Sequence, residues 1–258
     1  MERIDNYERR FGGIARLYGQ HALPILSGAH VCVVGIGGVG SWAAEALARS
    51  GIGKITLIDM DDICVTNINR QIHALSGEIG ALKTAVMAQR IQQINPQCEV
   101  SVIDDFLTLD NIADYIQPHF DYVIDAIDSV KVKAALIAYC KRHKIRLITI
   151  GGAGGQTDPT RIQIADLSRT VQDPLAAKVR SLLRKQYRFS QNPKRKFGVD
   201  CVFSTQPLIF PQTEGDCQLS ATMNCANGFG AATMVTATFG FFAVARVLEK
   251  LLQPPAKS

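Results

Sequence analysis

The residues able to do chemistry in this chain are a glycine cluster and a few charged side chains spaced behind it. Gly35-Ile36-Gly37-Gly38-Val39-Gly40 ends an apolar run, and Asp59, Asp61, Arg70, Lys83, Asp125 and Asp128 follow. Gly35 and Gly37 let a backbone turn and approach an anion closely. Gly40 lets the next helix pack on the strand, and the unpaired N–H groups opening that helix attract phosphate. A carboxylate roughly twenty residues beyond such a loop meets the hydroxyls of a ribose, which is the position of Asp59. Arg70 offers a planar guanidinium to phosphate oxygens, while Asn69 and Gln71 beside it can hold the ribose or orient the loop. Lys83 can neutralise a triphosphate and the pentacovalent state of adenylyl transfer. Asp125 and Asp128 suit Mg²⁺ held by one or two carboxylates plus substrate phosphate. Asp128 is the better ligand of the two, since Asp125 can equally cap the following helix.

These groups need elements to bring them together. Val31–Val34, Ile55–Ile58, Glu99–Ile103, Asp121–Asp125 and Ile145–Ile150 read as strands, and they alternate with helical patterns over Val39–Arg49, 83–94, Asn111–Gln117 and Val130–His143. That alternation predicts an α/β fold, a Rossmann-like doubly wound and mostly parallel sheet. One or two N-terminal helices precede it and a packed C-terminal helix follows. The chain reads as one domain over 1–258: an arm at 1–28, a nucleotide-binding core at 29–155, a substrate and dimer region at 156–252, and a tail at 253–258. The run Gly151–Gly155 allows close approach by a substrate or another backbone, or serves as a joint.

Composition sets the class. With 258 residues, 47% hydrophobic and 20% charged, the chain can bury a sizeable core as a soluble globular protein. Its seven cysteines stand singly, with no CxxC pair, and its five histidines show no ligand spacing. No zinc and no disulfide framework are expected, and a reducing cytoplasm is the default compartment. The start of the chain lacks a secretory h-region. Residues 229–247 carry no charge before Arg246 and approach the length of a membrane span. Their small and hydroxylated residues fit a helix packed in a core or dimer seam, which leaves membrane association as the minor alternative.

From Lys178 to Gly198 the chain holds Lys178, Arg180, Arg184, Lys185, Arg188, Lys194, Arg195 and Lys196 without an acid, interleaved with Tyr187, Phe189 and Phe197. Such a stripe neutralises phosphates and can stack a base, so it points to RNA ahead of a solvated helix face. Residues 187–196 read as a mobile loop that orders on binding. Cys201 and Cys225 read as loop cysteines without a neighbouring histidine, hence not as nucleophiles.

Gly35-x-Gly37-Gly38-x-Gly40, Asp59-x-Asp61, Asn67-x-Asn69-Arg70-Gln71, Lys83 and Asp125-x-x-Asp128 together resemble the E1-like adenylyltransferase superfamily. The segments from Arg10 to Gly19, Gly151 to Gln156, Gly198 to Ser204 and Cys225 to Ala232 resemble its tRNA threonylcarbamoyladenosine dehydratase branch, from about residue 8 to 250. The resemblance implies a ligase-type, adenylate-forming reaction. ATP activates the side-chain carboxylate of threonylcarbamoyladenosine 37 in tRNA, and an internal nitrogen closes the ring with net loss of water. It places Asp59 on the ribose, Arg70 and Lys83 on the phosphates and Asp128 on Mg²⁺. A homodimer is implied, with Arg10 or Arg16 as the arginine shared between subunits, and a partner from a cysteine-desulfurase sulfur-transfer system is compatible with it. Two alternatives stand beside this reading. One is activation of the C-terminal glycine of a ubiquitin-like sulfur carrier, against which the missing CxxC pairs and the basic stripe both speak. The other is an NAD-binding oxidoreductase, which Asp59 would suit but which leaves Arg70, Lys83 and Asp128 without a role.

Overall fold

A computed structural model describes residues 7–210 and 229–253. The N-terminal segment before Tyr7, Cys217, Cys225 and the first half of the Cys225–Ala232 motif, and the tail after residue 253 lie outside the described residues.

Short apolar runs without polar alternation make strands covered on both faces. β1 (His30–Val34), β2 (Lys54–Ile58), β4 (Tyr122–Asp125) and β5 (Leu147–Ile150) are of this kind, buried along almost their whole length. With β3 (Glu99–Ile103), β6 (Ile162–Asp166) and β7 (Asp200–Ser204) they form a seven-stranded sheet in the order β3-β2-β1-β4-β5-β7-β6. Neighbours are parallel except β6 with β7. The chain runs outward from β1 through β2 to β3, then crosses to the other side of β1 with β4. The crevice at the carboxyl ends of β1 and β4 is therefore the switch point where such sheets bind ligands.

Helices α3 (Gly40–Arg49), α4 (Lys83–Ile94) and α8 (Thr233–Leu252) share one hydrophobic cluster with Val31, Val33, Ile55 and Leu57 of the sheet. On the other face, α5 (Ile112–Tyr115), α6 (Val130–His143) and α7 (Pro174–Gln186) pack with Cys32, Val34 and Val123. The arm forms α1 (Tyr7–Tyr18) and α2 (Ala22–Gly28), joined through Phe11, Ala15 and Leu23.

Two differences from the sequence reading concern the C-terminal half. The apolar stretch read from residue 229 begins its helix only at Thr233 and continues to Leu252. Its apolar face, including Val235, Phe239, Ala243 and Val247, is buried, and Gly240 lies against Val39, Trp42 and Ala43 of the glycine loop and α3. No described helix is long and apolar enough to cross a membrane. Second, the chain beyond residue 155 forms β6, α7 and β7, elements that apolar patterning alone does not mark. Cys201 therefore sits fully buried in β7, not in a loop.

Candidate active site

β1 ends where Gly35 turns with φ +87°, its N–H bonded to the Ile58 carbonyl of β2. A side chain there would be strained and would press on the Ala126 carbonyl beyond β4 at 3.0 Å, so only glycine lets the two loops close on one another. A Cβ on Gly40 would overlap the Gly35 carbonyl, which explains why the first turn of α3 can fold back onto the strand end. The opening turn leaves N–H groups without intrahelical partners, as every helix start does.

Asp59, almost buried at the end of β2, ties this loop down. Its Oδ2 accepts from Ile36 N at 2.6 Å and its Oδ1 from Asp61 N at 2.9 Å. Sequence spacing found Asp59 but not His73 behind it. The His73 ring bonds the Ile36 carbonyl through Nε2 at 2.9 Å, which requires Nε2–H as donor and leaves the buried Nδ1 without a partner. Burial pushes the His73 pKa down, with the hydrogen bond to Ile36 acting in the opposite direction. The histidine thus holds the loop as a neutral ring.

The Asn69–Gln71 segment lies over Gly37 and Gly38. A Cβ on Gly38 would touch the Arg70 stem at 3.4 Å, and one on Gly37 would meet Gln71 Nε2 at 3.9 Å. The α8 end clasps the segment: Thr233 donates to the Asn69 carbonyl at 2.6 Å, and Asn69 Nδ2 donates to the Ala231 carbonyl at 2.8 Å. Trp42 Nε1 at 3.0 Å and the Thr236 hydroxyl at 3.2 Å both donate to the Arg70 carbonyl. Arg70 Nη1 bonds the Thr66 carbonyl and Asn69 Oδ1, which aims the guanidinium while leaving its other donors available. Of the two roles open to Asn69, orienting the loop is the one its contacts display. Gln71 is buried with Oε1 unpaired.

Lys83 returns to this place because Asp62 bridges Leu82 and Lys83 N bonds the Asp61 carbonyl. Its ammonium is nearly buried and pairs with Asp61 Oδ2 at 2.6 Å. Asp61 thus partners Lys83, and a nearly buried cation sits at the start of α4 facing the loop.

Asp125 and Asp128 separate completely. Asp125 is fully buried, pairs with Lys133 at 2.9 Å and accepts from Thr149 at 2.6 Å. It is neither a cap of α6, whose N-cap is Ser129, nor open to a metal. Asp128 is exposed, in the loop between β4 and α6. Among the described residues no group of three acids, histidines or cysteines could cage a metal. A hard cation here would need substrate phosphate beside Asp128, which is the way Mg²⁺ is usually held.

The basic stripe divides as well. Arg180 is spent on the Thr170 hydroxyl, and Arg184 packs over the Phe197 ring and bonds the Ser190 carbonyl. Lys178, Lys185, Arg188, Lys194, Arg195 and Lys196 remain exposed. Phe197 is buried with Phe189 edge-on against it at 5.0 Å, which removes Phe197 from the rings that could stack a base, while Tyr187 and Phe189 stay half-buried. The 187–198 part of the stripe also lies away from the crevice. α6 starts beside Asp128 and its last turn reaches the stripe, where Lys141 Nζ donates to the Gly198 carbonyl at 3.2 Å. At 1.5 Å per residue, α6 separates the two by about 20 Å. Cys201 is no nucleophile, because complete burial pushes its thiol well above the ordinary range. His30 and His119 lie 5.1 Å apart with their rings tilted at 35°, and Phe120 meets His30 edge-on.

The model of the ThiF family matches residues 7–257. The chain belongs to the ThiF family. Among its relatives, tRNA threonylcarbamoyladenosine dehydratase of Haemophilus influenzae is 72% identical, covering 98% of this chain and 97% of the relative. The solved Escherichia coli tRNA N6-threonylcarbamoyladenosine dehydratase in complex with ATP matches with TM-score 0.88 and 60% identity, over 98% of this chain and 97% of that one. Its complex with AMP gives TM-score 0.88 and 61% identity, over 98% of both chains. In this ThiF-family chain the residues that spacing missed, Trp42, His73, Lys133, Thr233 and Thr236, all hold other site residues in place. No spacing rule marks such supporting contacts, since each is made by a side chain distant in sequence.

Proposed function

We propose that the chain is an ATP-dependent tRNA threonylcarbamoyladenosine dehydratase, closing the threonylcarbamoyl group of adenosine 37 into a ring with loss of water. The observation that carries this reading is the near full-length likeness to dehydratases of that name, one of them solved with ATP and with AMP.

The triphosphate enters over the glycine loop, where Gly35, Gly37, Gly38 and Gly40 leave room for close approach and the start of α3 faces the anion. Asp59 spends one lone pair of each carboxylate oxygen on loop N–H groups and keeps the others for ribose hydroxyls. Arg70 and Lys83 neutralise the phosphates, with Asp61, Asn69 and Gln71 setting their positions. When Lys83 turns to a phosphate, Asp61 remains beside it to hold its approach. Magnesium, held by Asp128 together with ATP phosphates, would offset the charge of the departing pyrophosphate. The substrate carboxylate attacks the α-phosphorus and releases pyrophosphate, then an internal nitrogen displaces AMP from the acyl adenylate. Bond accounting makes this ligase-type chemistry with net loss of one water.

The exposed lysines and arginines of the stripe take tRNA phosphates. At about 20 Å from Asp128, they meet a part of the RNA remote from the nucleotide being modified. Residues 29–155 form the nucleotide-binding core of a single domain over 1–258, and 156–252 supply the substrate and dimer region. A homodimer fits the apolar stripe of Met234 and Phe241 on α8 beside Trp42, and the single cysteines fit the cytoplasm. Ring closure moves no sulfur, so a sulfur-transfer partner is not needed for the chemistry.

Mass spectrometry of nucleosides from threonylcarbamoylated tRNA incubated with the protein, ATP and Mg²⁺ tests the reading. Loss of one water that depends on ATP and disappears in Asp128→Ala is expected. An unchanged nucleoside, with ATP–pyrophosphate exchange appearing only when a small carrier protein is added, would replace it with carrier activation.

A further inference from the structure

Lys133 is among the most deeply buried large side chains of the protein, at 1% exposure, and it lies one helical turn into α6. A charged pair in such a place is costly, and apolar residues of similar volume would often serve stability as well or better. What the pair does is visible in its contacts. Lys133 Nζ reaches Asp125 Oδ1 at 2.9 Å, the Asp125 carbonyl at 3.1 Å and Thr149 Oγ1 at 3.1 Å, one acceptor for each ammonium proton. Thr149 in turn donates to Asp125 Oδ2 at 2.6 Å, and Ile127 N donates to Asp125 Oδ1 at 3.3 Å. Lys133 N closes the first turn of α6 onto the Ser129 carbonyl. The ammonium therefore grips the strand end of the Asp125–Ser129 turn, and because it is carried on the first turn of α6 it ties that end to the helix the turn enters. Asp128 projects from the middle of that turn, and its carboxylate has no hydrogen bond among the described residues.

We propose that Lys133 is a positioning residue for Asp128: the buried Lys133–Asp125–Thr149 cluster fixes the β4–α6 turn so that the Asp128 carboxylate meets the cation that accompanies the ATP phosphates. This rests on the reading of Asp128 given above. Ala126 and Ile127 pack against the two core layers and Ala126 N bonds the Val34 carbonyl. Among the described residues, the polar ties of the turn beyond Ala126 run through the Asp125 carboxylate and the start of α6. Breaking the grip would loosen Asp128, while the glycine loop keeps its bonds to Asp59 and His73 and Arg70 keeps its support from Trp42 and Thr236.

The test is calorimetric binding of ATP and of AMP to the full chain, with and without Mg²⁺, for the native protein and Lys133→Met, Lys133→Arg and Asp128→Asn. For Lys133→Met, at least a tenfold loss of the Mg²⁺-dependent part of ATP affinity is expected, with AMP affinity within twofold of native. Lys133→Arg should recover most of the loss. A Lys133→Met protein that keeps the full Mg²⁺ effect on ATP overturns the proposal, and so does one that loses ATP and AMP affinity in parallel, since that is general damage. Asp128→Asn separates the two layers. If it also keeps the full Mg²⁺ effect, the reading of Asp128 falls and the proposal with it; if it loses the effect while Lys133→Met does not, the positioning role alone is refuted. Should Lys133→Met not fold, Asp125→Asn, which keeps the shape and removes the charge partner, carries the same expectations.

Discussion

Gly240→Ala sets two effects of opposite sign against each other at the seam that holds the glycine loop. In the interior of α8, alanine is favoured over glycine by about 1 kcal/mol. Against that, a Cβ at this position would lie 2.8 Å from the Val39 carbonyl, 2.9 Å from Ala43 N and 3.1 Å from Trp42 Cβ. Two of these are backbone atoms of the loop and of α3, so no rotamer change relieves the contact. The helices must part by about half an ångström, which forfeits roughly a quarter of the dispersion attraction across the seam. Overpacking of this kind costs about 1–3 kcal/mol. The net expectation is a loss of up to about 2 kcal/mol, a fall in Tm of up to about 8 °C for a chain of this size. Because Val39 and Trp42 flank the phosphate loop and Trp42 supports Arg70, ATP affinity should drop about three- to tenfold. Gly28→Ala is the control: nothing lies within 4 Å of its Cβ position, at the end of α2, and it should melt at or slightly above the native temperature. Differential scanning calorimetry and ATP titration measure both quantities. A Gly240→Ala protein that melts at or above native and binds ATP normally would refute the close α3–α8 packing on which the site depends.

Stability should also respond to mild acid through His73. Its pKa is lowered in the folded protein, so its contribution is present above the unfolded value of about 6.5 and is lost as pH falls through the folded value. Urea midpoints should therefore fall as pH drops below about 6.5, and His73→Leu should flatten that part of the profile; an unchanged slope would show that the ring does not titrate in unfolding. At the other end of the molecule, the combined change Lys194→Ala, Arg195→Ala and Lys196→Ala should weaken tRNA binding and lower the slope of log affinity against log salt by up to about three, with ATP affinity unaltered. Binding with the native salt slope would assign the stripe to solvent.

Much of the fold was legible because both of its signals are local. The strands that pair around β1 are apolar runs of four or five residues with no polar alternation, and each delivers its next residue to the same edge of the sheet. Asp59 could be placed by counting, because β2 and its turn have nearly fixed length in such crossovers. Lys83 was placed at the first residue of α4, since a helical period beginning there and stopping before Pro96 admits few other bounds. The strands that escaped notice are those with the weakest local signal. β7 offers only Cys201-Val202-Phe203 as an apolar core between Asp200 and Ser204, and β6 pairs antiparallel at the sheet edge with one fully buried residue. Their place is decided by the sheet, through the register Ile164 to Val202 and Thr149 to Cys201.

Spacing cannot tell a carboxylate that faces a ligand from one that faces the core, and Asp125 and Asp128 show why. They stand three apart at a strand end, and a strand alternates its faces while the loop after it does not. Asp125 is the last residue of β4, so its direction is set by the pleat, into the layer under α6 where Lys133 waits. Asp128 has left the strand and takes its direction from the turn. The distinction needs the partner, and the partner is a lysine on the next helix whose spacing alone reads as an ordinary surface residue. The same logic separates the stripe. Arg180 and Arg184 sit four apart on α7 with Thr170 and Phe197 within reach, while Lys194 to Lys196 follow the turn after Pro193 and are exposed. Charge counting gives all of these cations equal weight. Only the exposed ones can trade counterions for RNA phosphates, so the RNA-facing surface is smaller than the stripe and is concentrated near the end of α6 farthest from Asp128.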